Sequence, residues 1–135
     1  MKILLVPENN SLSHIAKALA IRTGLLDRGH EVLLAVSQRS ASFLEQTCTP
    51  YTILPAIQER DGAGFPSVNW FRDDATIRTV VDEERRLLES YRPDRVLGVF
   101  RFTMKSAAQL VGVPYDSLIC GCLLPGVCDA YGYAS

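Results

Sequence analysis

The sequence has no strong charge of either sign. Fourteen Lys and Arg stand against fifteen Asp and Glu, a net −1, so no general attraction to nucleic acid or anionic lipid is implied. Apolar runs stop well short of a membrane span, and no cleavable leader pattern opens the chain. These absences point to a cytoplasmic domain with no nucleic-acid partner and no membrane span. A G-x-G-x-x-G fingerprint is missing from the first loop, which removes support for dinucleotide binding there. The four cysteines make no disulfide framework. Cys48 stands alone, and Cys120, Cys122 and Cys128 have neither the usual C-x2-4-C spacing nor a nearby histidine. No metal site is expected, and the thiols are read as reduced and mostly buried. Only two histidines are present.

What is there is an ordinary globular balance, 47% hydrophobic and 21% charged over 135 residues, enough for one domain with a real core. The organising stretch is the opening strand–loop–helix. Lys2 to Pro7 is a continuous apolar run, the pattern of a strand covered on both faces. Ser11 or Ser13 can cap the following helix. Its inward stripe is read as Leu12, Ile15, Leu19 and Leu26, and Gly29 stops it. Glu31–Val36 is a second buried strand.

Ser37–Cys48 reads as a short helix capped by Ser37 or Ser40, and Tyr51–Leu54 as a short third strand. Residues 56–69, with Asp61-Gly-Ala-Gly64 and Pro66, form a long irregular connection, either a binding loop or a mobile one. Trp70–Tyr91 is one long helix, or two joined near Asp73-Asp74. Ile77, Val80, Val81, Glu84, Leu87, Leu88 and Tyr91 share its inward side. Arg95–Phe100 is a fourth strand, Lys105–Val111 a helix ended by Gly112, and a fifth strand runs through Leu118-Ile-Cys120. This alternation predicts an α/β fold: a three-layer Rossmann-like sandwich, its mostly parallel sheet flanked by helices. Ligands in such sheets bind beyond the carboxyl ends of the strands.

Four features in order resemble the N-terminal domain of GT-B-fold glycosyltransferases acting on macrolides, sterols and other small acceptors. They are the Ile3-Leu-Leu-Val6 strand with His14 after it; Leu19-Ala20 followed by Arg28-Gly-His-Glu-Val32; Leu87-Leu88 before Arg92-Pro-Asp94; and Ala107-Ala108 before Gly112-Val-Pro114. The resemblance spans nearly the whole chain. It implies the N-terminal half of a GT-B fold, whose role is to hold a small-molecule acceptor. The nucleotide-sugar donor of the full enzyme would sit on a C-terminal donor-binding domain or subunit outside residues 1–135. No cofactor is then expected on this domain, and the isolated chain is expected not to turn over.

The resemblance makes His14 the catalytic base that takes a proton from the acceptor hydroxyl, a task suited to imidazole near neutral pH. The other reading of His14 is a residue that merely caps or solvates the helix start. The sequence departs from the family pattern around it, with Ser13, Ala16 and Lys17 where the family has Gly before and Asn-Pro after the histidine. The family's orienting aspartate at the end of the fourth strand has no counterpart in Val96–Arg101. Asp94 matches the family's strand-leading aspartate and is read as structural. Glu8 either orients His14 in place of the missing aspartate or is an exposed loop acid. Ser13, Arg101, Lys105, Phe65 and Trp70 are the acceptor-binding candidates. Arg101 and Lys105 suit a phosphate or carboxylate on the acceptor, or are surface cations. Phe65 and Trp70 line an apolar pocket, or anchor their loop to the core.

Three rival functions stand beside the transferase: a nucleotide-sugar epimerase-like GT-B protein, a non-catalytic partner subunit, and a stand-alone flavodoxin-like binding domain. A response regulator is disfavoured, because the first strand ends with Glu8 and no acidic pair.

Overall fold

The computed structural model describes residues 1–8, 11–54, 73–120 and 126. Phe65, Trp70, Cys122, Cys128 and the irregular 56–69 connection lie outside the described residues. The elements run β1 (Lys2–Pro7), α1 (Leu12–Asp27), β2 (Glu31–Val36), α2 (Gln38–Gln46), β3 (Tyr51–Ile53), α3 (Asp74–Tyr91), β4 (Arg95–Val99), α4 (Thr103–Val111) and β5 (Tyr115–Leu118). All pairings are parallel, in the order β3-β2-β1-β4-β5. This is the predicted three-layer Rossmann-like sandwich.

Alternate residues of the central strands feed two cores, as the two-residue strand period requires. Leu4, Val6 and Val96 pack with Leu88 of α3 and Met104, Ala107 and Ala108 of α4. Leu5, Val32, Leu34 and Val99 pack on the other face with Ile15 and Ala18 of α1 and Leu44 of α2. Burial on both faces explains why β1 shows no polar alternation.

Helix boundaries follow local chemistry. The Ser11 side chain accepts the Ser13 amide at 3.2 Å and starts α1. Asp73 accepts the Ala75 amide at 3.1 Å and starts α3; residues 70–72, the first of the expected long helix, lie outside the described residues. Gly112, at φ 79°, ends α4 in the left-handed region.

Several expectations need correction. Leu12 is 66% and Leu26 39% exposed, so they do not belong to the inward stripe of α1, which rests on Ile15 and Ala18. Cys48 and Cys120 are exposed, not buried, free thiols. The fourth strand stops at Val99, α4 begins two residues early at Thr103, and β5 spans Tyr115–Leu118. Among the described residues no helix is long and apolar enough to cross a membrane.

Candidate active site at the switch point

From β1 the chain winds outward through β2 to β3, then returns to lay β4 on the other side of β1. Loops leaving β1 and β4 therefore lead to opposite faces of the sheet, the arrangement beyond whose carboxyl ends open α/β sheets bind ligands. His14 follows β1 and Phe100 follows β4. Register pairs Pro7 with Val99, and the Glu8 amide donates to the Val99 carbonyl at 2.8 Å. The two strand ends are thus fastened to each other where the loops begin.

Three side chains meet there. The His14 imidazole and the Phe100 ring are stacked, centroids 4.5 Å apart and planes 14° from parallel. The Nδ1 of His14 lies 3.2 Å from Oε2 of Glu8, with the side chains 17% and 21% exposed. A carboxylate only accepts, so this contact places a proton on Nδ1, and in the neutral ring the lone pair then lies on Nε2. That is the tautomer a general base needs when its other nitrogen is oriented by an acid. Glu8, read from sequence as an orienting acid or an exposed loop acid, pairs with His14.

Phe100 is backbone-strained. Its φ is +58°, and among described non-glycine residues only Cys48 and Arg92 share the sign. Those two follow helices; Phe100 follows a strand. A bulky residue there costs about 1–2 kcal/mol, a cost that persists only when the surroundings impose it. Phe102 meets Phe100 edge-on at 6.4 Å and is 50% exposed. The Lys17 ammonium lies 5.7 Å from the Phe100 centroid, within cation–π range.

The remaining candidates divide. Ser13 is exposed in the first turn of α1, its hydroxyl 2.7 Å from that of Ser11. Lys105 is exposed in the first turn of α4. Arg101 is not a surface cation: it is 4% exposed, and its Nε–H donates to Oε1 of the fully buried Glu84 at 2.6 Å. The Thr103 hydroxyl donates to the same oxygen at 2.8 Å, and the Tyr115 hydroxyl donates to the Arg101 carbonyl at 2.8 Å. Burial pushes the Glu84 carboxyl up, with Arg101 and Thr103 pulling it back. Sequence reasoning placed Glu84 on the inward side of α3 without giving it a partner, and gave no role to Phe100 or Tyr115. An acid in the middle of an apolar stripe is a signal for a buried cation. The left-handed turn at Phe100 has no such signal.

The architecture is that of the N-terminal half of the GT-B glycosyltransferase fold. No family model matches the chain. It is 27% identical over 117 residues to the PGL/p-HBAD biosynthesis rhamnosyltransferase of Mycobacterium bovis BCG, covering 87% of this chain and 26% of that protein. It is 24% identical over 118 residues to an inactive PGL/p-HBAD biosynthesis glycosyltransferase of the same organism, covering 87% of this chain and 32% of the relative. Among solved structures it resembles the glycosyltransferase SsfS6 of Streptomyces sp. SF2575, complexed with thymidine diphosphate. The TM-score is 0.69 at 19% identity, over 98% of this chain and 42% of that one. The chain thus spans about a quarter to a third of the length of these curated relatives.

Proposed function

We propose that this chain is the acceptor-side half of a nucleotide-sugar-dependent glycosyltransferase, with His14 as the base. The observation that carries the reading is the Glu8–His14–Phe100 assembly at the switch point, with Nε2 of His14 left as the acceptor nitrogen. In the reaction, Nε2 takes the proton of an acceptor hydroxyl as that oxygen attacks the anomeric carbon. The bond from that carbon to the nucleoside diphosphate breaks, and the diphosphate leaves with the electron pair. Ser13 and Lys105 face the acceptor in this reading, and Phe65 and Trp70 are assigned to its apolar part. The donor is held by a second domain or subunit. That the chain covers only 42% of SsfS6 supports this division.

The test uses the protein together with its donor-binding part. His14→Ala lowers kcat by about 10²–10⁴-fold while acceptor KM changes little; unchanged turnover removes His14 from the chemistry. A second reading, a non-catalytic partner subunit, is favoured by the likeness to an inactive glycosyltransferase. It predicts that His14→Ala leaves the partner transferase as active as the wild-type chain does.

A further inference from the structure

Phe100 is clamped on both flanks. Its own amide donates to the Leu118 carbonyl at 3.1 Å. The next residue, Arg101, has its side chain drawn inward to Glu84 and its carbonyl capped by Tyr115. Glu84 also receives Thr103, so one carboxylate on α3 fastens the turn at two points beyond Phe100. Tyr115 fits only because Gly98 has no side chain: a Cβ there would run into the tyrosine hydroxyl.

This clamp is costly by the standards of folding alone. Oε2 of Glu84 and Nη2 of Arg101 are buried without a partner among the described residues. Apolar side chains of similar size would serve stability as well or better. What the clamp does achieve is the direction of one ring. A histidine held by a single hydrogen bond, Nδ1 to Glu8, remains free to tilt about that bond. A flat ring against its face removes the tilt and fixes where Nε2 points.

We propose that Glu84 and Arg101 are positioning residues for His14, acting through Phe100. The buried pair holds the turn after β4 in the strained conformation that lays the phenyl ring on the imidazole. The inference rests on His14 being the base, but its test does not depend on turnover.

The chain has only two histidines. His30, at the other edge of the sheet, serves as an internal reference. Carbon-edited proton spectra are compared for the wild type, Phe100→Leu and the double variant Glu84→Met/Arg101→Leu, with circular dichroism reporting the fold. In the wild type the His14 ring protons are displaced upfield by the stacked phenyl, and Phe100→Leu marks their position without it. The double variant is expected to move them most of the way to that mark and to leave His30 in place. His14 signals that stay at the wild-type position in the folded double variant overturn the proposal. Should the double variant not fold, Tyr115→Phe decides: loss of its hydrogen bond to Arg101 gives a smaller displacement in the same direction, and no displacement overturns the proposal. If His14→Ala leaves transfer unchanged while these shifts occur, the base assignment fails and the clamp stands.

Discussion

The two histidines stand at opposite edges of one parallel sheet, and the contrast separates a fastening from the proposed site. At the amino edge the contacts close on themselves. The Met1 amine donates to Nδ1 of His30 at 3.2 Å, and the Lys2 amide donates to Asp94 at 2.6 Å. The Asp94 amide returns a bond to the Lys2 carbonyl at 2.7 Å. Tyr91 donates to Glu31 at 3.3 Å and lies under the Lys2 ammonium, 4.1 Å from its centroid. These contacts tie the start of β1 to the starts of β2 and β4, and the end of α3 to the starts of β1 and β2. At the carboxyl edge His14 meets a carboxylate and a strained aromatic, and in the proposed reaction its second nitrogen takes the acceptor proton. The same side chain fastens at one edge and is presented at the other, because loops diverge only beyond the carboxyl ends of β1 and β4.

Moving the lesion from edge to edge tests that contrast most severely. In the transferase assay His14→Ala loses about 10²–10⁴-fold in kcat, whereas His30→Ala leaves kcat unchanged; equal losses would dissolve the distinction. Glu8→Gln, which removes only the orienting charge, lowers kcat by at least about tenfold with little change in KM.

Stability effects come next in size. Arg101→Met leaves a buried carboxylate without its cation and costs about 3–5 kcal/mol in urea unfolding. Gly98→Ala drives a methyl into Tyr115 and costs about 1–3 kcal/mol; adding Tyr115→Phe recovers part of it, and full additivity would show that the two do not touch.

The smallest effect belongs to the amino edge. Burial, reinforced by the Glu31 carboxylate, pushes Tyr91 up from 10.0 to about 12. The folded state holds that proton more tightly than the unfolded one, so the associated stability is intact below the ordinary tyrosine value. It is lost as pH rises toward the shifted one. Tyr91→Phe flattens that stretch of an alkaline denaturation curve.

The sheet was legible because its signals are local: apolar runs, capping residues, and glycines where the chain must turn left-handed. Asp94 was read as structural from its match to the family's strand-leading aspartate, and its bonds to Lys2 agree. The site was legible only in part. His14 is visible from its place after the first strand. Its partner Glu8 was visible only as one of two readings, because nothing in a sequence says which way a loop acid turns. Of the two readings of Arg101, acceptor-binding or surface cation, the second fails because its partner lies seventeen residues earlier on another element, a pairing that only the packing of α3 against α4 brings about. Leu12 and Leu26 misled because helical spacing alone does not decide which of two overlapping stripes faces the sheet. Ile15 and Ala18, the smaller pair, allow α1 to lie close.

The phenyl roof over His14 has a consequence for the shape of any visitor. One broad side of the imidazole is shut, and one of its two nitrogens is tethered. In the proposed reaction, a molecule bringing a hydroxyl to this histidine would come in along the plane of the ring toward Nε2. On that reading, guests would be sorted by the angle at which they can offer an oxygen before their chemistry is consulted.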